Sequence, residues 1–199
     1  MGKLFVMMGK SATGKDSLYN AVISRHPELH RVITYTTRPI REGETFGKEY
    51  YFVTKEEMYE MRENGKIIEC REYDTALGPW FYFTADDGQI DCSKGDYILI
   101  STLAGYEKLQ GTFGIEHVVP VYIEVDDMER LERAISREKE QMSPCVREIC
   151  RRFLADEEDF SEERLQTAGI ETRILNRDFD AAAASIEKLI SDNTHIGLD

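Results

Sequence analysis

The chain has 199 residues, with 38 Asp and Glu against 25 Lys and Arg, for a formal charge of −13. That length suits one well-filled core with a mobile subdomain, not several independent domains, and that charge repels nucleic acid polymers and anionic membranes. Any phosphate ligand therefore has to be met by a local cluster of positive groups. The opening "MGKLFVMMG" is too short for a secretory hydrophobic region, and no apolar run approaches the roughly 18 residues of a membrane span. The expected location is the cytoplasm, with no membrane partner. Cys70, Cys92, Cys145 and Cys150 lack paired C-x-x-C spacing and read as reduced and structural.

Taken in chain order, apolar runs bounded by turn residues alternate with helical periodicity, the pattern of an α/β protein with a mostly parallel sheet. The first strand is expected at Leu4 to Met8. A helix follows from about Lys15 to Ser24, with Leu18, Val22 and Ile23 inward, ended by His26-Pro27. "RVITYTT" (Arg31 to Thr37) reads as a second strand and "EYYFV" (Glu49 to Val53) as a third. In "TKEEMYEMRENG", Thr54 and Glu57 stand as a capping box and Gly65 as the stop. Further strands are expected at "KIIECREY", "WFYFT" and "DYILIST". "VVPVYIEV" (Val118 to Val125) is a continuous apolar segment that suits a strand covered on both faces. Charged helices over about 127–141 and 144–158, the strand "TRILN" and a helix from Phe179 to Ser191 complete the reading.

The first chemical signal is "MGKSATGKDS", Met8 to Ser17. Gly9 and Gly14 bracket Lys10, Ser11, Ala12 and Thr13 and precede Lys15, between a strand and a helix. Such a loop lets successive backbone N–H groups curl around phosphate oxygens at a positive helix terminus, with Lys15 reaching the β- and γ-phosphates. Asp16 stands where these loops carry Ser or Thr. Two readings fit it: a hard oxygen ligand for Mg²⁺, direct or through water, or a carboxylate that favours the helix N-terminus while the nucleotide holds the metal. Ser17 is turned a step further round the helix and substitutes poorly for the missing hydroxyl.

The second signal is "TYTTRPIREGETFGKEYYFV". Arg38 and Arg41, three residues apart beside Gly43 and Gly47, can form forked bonds to a phosphate dianion, with Tyr50 as a further donor. Here the chain resembles guanylate kinases, whose monophosphate segment reads S-x-T-T-R-x-x-R-x-G-E-x-x-G-x-x-Y-x-F-V. The resemblance continues more weakly along almost the whole chain. It implies a P-loop kinase three-layer fold: a core over about 1–33, 94–125 and 169–191, an inserted monophosphate-binding region over about 34–93, and a helical lid over about 126–168. It also implies ATP and Mg²⁺ as cofactors, phosphorylation of a nucleoside monophosphate, GMP or dGMP first, and a monomer or homodimer.

In "GKIIECREY" the resemblance puts Glu69 in the guanine-reading role. A carboxylate suits guanine because N1–H and N2–H₂ are adjacent donors. Thr34 takes the place of a serine hydroxyl near the base. Tyr82 and Thr84 of "YFT" match the family's Tyr-Gly-Ser/Thr triplet, with Tyr73 a competitor for the tyrosine. Where the family has Asp-x-Asp before a glycine, "ILISTLAG" carries Ile100 and Thr102, leaving Thr102 to face the substrate with a hydroxyl. In the lid-like segment, Arg133, Arg137 and either Arg151 or Arg152 are the arginines for the moving phosphoryl group, Arg152 being preferred for its Arg-Phe step. Arg133 and Arg137 also fit a surface ion-pair ladder with Glu129 and Glu132. Asn176 in "RILNRD" matches the adenine-side asparagine, or serves as a turn former. A binding domain without turnover is the alternative from another class, set against an intact Gly9, Gly14 and Lys15.

Overall fold

The computed structural model describes residues 2–41, 43–74, 78–141 and 144–194. Its first element is strand β1 (Leu4–Met8), in which every residue is buried. Period-two alternation sends Leu4, Val6 and Met8 to one face and Phe5 and Met7 to the other, so both faces of the strand must be covered. The glycine loop then turns into helix α1 (Lys15–Arg25), which covers the second face with Leu18 and Val22.

After α1 the chain makes the short strand β2 (His30–Arg31), parallel to β7 (Tyr97–Ile100). The predicted strand Arg31 to Thr37 is thus divided: its second half, β3 (Tyr35–Thr36), belongs to another sheet. Val32 N–H makes the last bond to the main sheet, at Ile98 O. The Gln89 amide then pairs with both the N–H and C=O of Ile33, imitating a neighbouring strand while the chain crosses over. β-type residues suit either sheet, so composition could not reveal the transfer. The second sheet runs β4-β3-β6-β5, with β4 (Tyr51–Phe52), β5 (Ile67–Tyr73) and β6 (Trp80–Ala85). Helix α2 (Lys55–Glu63) closes over it, and the expected Thr54–Glu57 capping box is formed. Met58, Phe81, Phe83 and Ala85 make its own small core.

The main sheet is completed by β8 (Val118–Glu124) and β9 (Arg173–Leu175), and all its pairings are parallel, in the order β2-β7-β1-β8-β9. Helix α3 (Leu103–Phe113) covers one face through Leu103, Tyr106 and Leu109; α7 (Phe179–Asn193) joins α1 on the other through Ile186 and Ile190. Each such side chain, fully removed from water, stabilises the fold by roughly 1.5–3 kcal/mol. The sequence reading had no helix at 103–113, because Gly105 and Gly111 dilute the helical signal. Gly105 is required by space: a Cβ there would stand 2.2 Å from Ser101 Oγ. Between β8 and β9 lie α4 (Asp127–Lys139), α5 (Val146–Asp159) and the short α6 (Glu162–Thr167). No described helix is long and apolar enough to cross a membrane.

Candidate active site

The glycine loop ends on Gly14, which caps α1 in the left-handed region with φ 81°. A side chain there would lie 2.7 Å from Asn176 Nδ2, so this position needs glycine twice over. Asn176 follows β9 and is buried; its amide donates to Thr13 O at 2.7 Å, and Arg133 Nη2 donates to Asn176 O at 3.0 Å. Arg133 and Asn176, predicted separately, thus meet at the loop. Arg133 also pairs with Glu129 on its own helix, so the ion-pair reading and the loop contact coexist. Among the described residues, the N–H groups of Ala12 through Asp16 donate to no protein acceptor, and Lys15 has no carboxylate partner. That leaves an anion-sized cradle of free donors. Asp16 and Ser17 are exposed on the first turn of α1.

Lys10 is one of the residues bracketed by Gly9 and Gly14. Its ammonium lies 2.6 Å from Glu157 Oε1 and 3.6 Å from Asp127 Oδ1, carboxylates of α5 and α4. Ser11 N–H likewise donates to Asp156 Oδ2 at 2.7 Å.

On the monophosphate side, Arg38 is 4 % exposed and its guanidinium forks onto Glu44, with Nη1 2.7 Å from Oε2. The fork stacks over the rings of Tyr50 (5.2 Å) and Phe52 (5.4 Å). The Arg38 hydrogen bonds hold the Glu44 carboxyl down to about 2, and burial raises the Tyr50 phenol above its ordinary value. Tyr50 meets Tyr82 edge to face at 5.7 Å, and Tyr82 meets Tyr73 at 5.5 Å. Both tyrosine candidates therefore belong to one cluster, with Tyr82 nearer Tyr50. Arg41 is exposed; its N–H donates to Glu44 Oε2 and its carbonyl accepts from Glu44 N–H. Its side chain lines a cleft of about 680 Å³ together with Ser11, Arg137 and Arg152. Arg151 and Arg152 both bond to Glu148, but of the two only Arg152 lines the cleft.

The third group lies about Glu69 on β5 and Thr84 on β6. Glu69 is 5 % exposed, although a Glu on a strand ordinarily faces solvent. It accepts from Thr84 Oγ1 at 2.8 Å and lies 3.3 Å from Arg71 Nε. Thr34 sits half-buried at the crossing between sheets, its carbonyl accepting from Tyr51 N–H. Thr102 Oγ1 accepts from Gly105 N–H at 3.2 Å and caps α3, which leaves the hydroxyl proton for a further partner. An N-cap oxygen directed at its own helix satisfies a backbone donor that otherwise lacks a partner.

The sequence profile described as guanylate kinase matches residues 1–193. The chain belongs to the guanylate kinase family. A guanylate kinase from Nostoc sp. is 28% identical over 188 residues, covering 94% of this chain and 88% of that one. One from Synechococcus sp. is 32% identical over 143 residues, covering 71% and 63%. The crystal structure of guanylate kinase from Anaplasma phagocytophilum aligns with a TM-score of 0.68 at 23% identity, covering 96% of this chain and 85% of that chain. The family is one of nucleoside monophosphate kinases, and the mixed α/β architecture with its mostly parallel central sheet is the fold of that crystal structure.

Sequence reasoning missed four residues of this kinase site. Glu44 and Arg71 hold Arg38 and Glu69; the second pair is two residues apart on one face of β5, a spacing the sequence carried, whereas the first depends on the turn of the loop between 38 and 44. Ser101 is buried with an unpartnered hydroxyl beside Gly105. Arg130, 1 % exposed, touches Asp127, Asp156, Glu157 and the Ser11 carbonyl; the only hint in the sequence was its i,i+3 spacing from Asp127. No three acids, histidines or cysteines gather to hold a metal among the described residues. Asp16, exposed on the first turn of α1, offers a single hard carboxylate oxygen donor beside the loop.

Proposed function

We propose that the protein transfers the γ-phosphoryl group of ATP to a guanine nucleoside monophosphate, GMP or dGMP. The buried Glu69 carboxylate, held by Thr84 Oγ1 beside the Arg38–Tyr50–Tyr82 cluster, carries this reading. Two fixed acceptor oxygens suit the paired N1–H and N2–H₂ donors of guanine, whereas adenine or a pyrimidine would leave these buried acceptors unpaired. The free amides of Ala12 to Asp16 and the Lys15 ammonium take the β- and γ-phosphates of ATP. Asn176 and Arg133 brace that loop from the adenine side. Arg38, Arg41 and Tyr50 receive the acceptor phosphate.

The acceptor oxygen is already anionic, so no side chain has to act as a base or nucleophile. Catalysis consists of alignment and neutralisation of spread negative charge, to which Arg137 and Arg152 contribute from across the Arg41 cleft. Mg²⁺, when bound, supplies charge neutralisation between the phosphates, with Asp16 as its candidate protein ligand. Residues 34–93, which hold the second sheet, serve as the monophosphate-binding region, and 126–168 as the lid.

The test is ADP formation from ATP and Mg²⁺ with GMP, dGMP, AMP, CMP and UMP in parallel, with Lys15→Ala as the blank. Lys15-dependent turnover confined to the guanine nucleotides is expected. A second reading, the same chemistry on another base, draws on Ile100 and on the Thr102 hydroxyl being directed to its helix cap, which leaves Glu69 without a second acid on that strand. Turnover confined to AMP, CMP or UMP would favour it, and no Lys15-dependent turnover at all would leave a binding domain.

A further inference from the structure

The Ser11 backbone is held at both its N–H and its C=O by one ion pair. Its N–H donates to Asp156 Oδ2 at 2.7 Å, and its carbonyl accepts from Arg130 Nη1 at 3.2 Å, while the same Nη1 is 3.2 Å from Asp156 Oδ2. Arg130 reaches this position from α4 and Asp156 from α5. The guanidinium is fixed on its remaining sides by Asp127 Oδ1 (2.8 and 3.0 Å), Glu157 Oε1 (3.0 Å) and the Phe153 ring (4.7 Å). Directly after Ser11 comes Ala12, with φ 64°, the one non-glycine residue of positive φ among those described. A left-handed alanine is strained and persists only where its surroundings over-determine it.

We propose that Arg130 and Asp156 act as a clamp that presets the phosphate loop. By fixing the Ser11 peptide, they hold Ala12 in its left-handed conformation and keep the free amides that follow turned toward one anion. Because one half of the clamp stands on each of two lid-segment helices, the seating of those helices and the shape of the loop become one equilibrium. A nucleotide that binds the preset loop therefore favours the seated helices, and unseating them weakens the nucleotide. Arg130 is a positioning residue here. Its fork is filled by protein oxygens, and it reaches the phosphates only through Ser11. The proposal rests on ATP occupying this loop.

The experiment compares wild type, Arg130→Met/Asp156→Ala, Ala12→Gly and the triple variant, with ATP binding measured by calorimetry and with KM for ATP and for GMP. Arg130 also faces Asp127 and Glu157, so the double variant is expected to melt below wild type, and ATP binding is measured well below its melting temperature. The double variant should bind ATP about tenfold more weakly, the factor that corresponds to a strain of this order, with KM for GMP unmoved. Ala12→Gly should recover much of that loss in the clampless protein and change wild type less.

An unchanged ATP affinity in the double variant, or effects that simply add, would overturn the clamp. Should the double variant not fold, Arg130→Lys keeps the charge without the fork. Weaker ATP binding and faster deuterium uptake at the Ser11 amide are then expected, with Asp156 still in place, and wild-type values in both would refute the proposal. If wild type binds no ATP at all, the functional assignment fails by itself, and the Ser11 uptake in Arg130→Lys still decides whether the clamp exists.

Discussion

Replacing Glu44 by Gln tests the electrostatics of the monophosphate side most directly. Arg38 is 4 % exposed, and Glu44 is the carboxylate that faces its fork. The fall of the Glu44 carboxyl from its ordinary 4.5 to about 2 has the Arg38 hydrogen bonds as its largest cause, with the Arg41 N–H and charge adding to it; the net preference for the ionised carboxyl is about 3 kcal/mol. Gln retains one acceptor oxygen and the side chain is partly wetted, so we expect a loss of about 2–3 kcal/mol in urea unfolding at neutral pH. The pH dependence carries the sharper test. Glu44 has a depressed folded value, so its contribution is whole above the unfolded value near 4.5 and is lost as pH falls toward about 2. The stability gap between wild type and Glu44→Gln should shrink to less than half by about pH 3. Equal stabilities at neutral pH, or a gap undiminished in acid, would show that the pair is not what holds Arg38.

Glu69→Gln places an amide N–H₂ against the donors of guanine and should lower kcat/KM for GMP by at least about 100-fold, with an unchanged circular dichroism spectrum; wild-type kcat/KM would remove Glu69 from base selection. Asp16→Ser should reduce turnover on the order of tenfold, with the deficit largest at low Mg²⁺. A Mg²⁺ titration superimposable on that of wild type would leave Asp16 as a helix-terminus charge only. Thr102→Ala should destabilise the protein by about 1 kcal/mol through the lost α3 cap and leave KM for GMP unchanged. A raised KM with unchanged urea unfolding would return its hydroxyl to the substrate.

The sequence by itself determined those features whose physics is local. The spacing of Gly9, Gly14 and Lys15 marked a glycine loop between a strand and a helix, which the structure forms with its amides free. Thr54 and Glu57 announced a capping box that the structure forms, since both partners lie within one turn. The apolar run Leu4 to Met8 was legible as a strand, and the structure forms it over those residues. The division of 31–37 between two sheets could not be read, because it depends on Gln89, 56 residues beyond Ile33. Helix α3 was hidden by two glycines, one of them demanded by Ser101 across a turn that only packing defines.

The candidate site follows the same division. Residue types at Arg38, Glu69 and Asn176 were legible as donors and acceptors. What each one touches was not: Asn176 reaches Thr13 across 163 residues, and Arg130 reaches Ser11 across 119. An arginine in an acidic helix reads as solvated until a second helix and a loop enclose it. Tertiary structure alone decided that Lys10 turns to carboxylates of α4 and α5, that the Thr102 hydroxyl caps a helix, and that a single ion pair holds both the N–H and the C=O of Ser11. Short-range signals are fixed by backbone geometry within a turn or a strand, whereas these contacts exist only once packing has brought distant segments within hydrogen-bond reach.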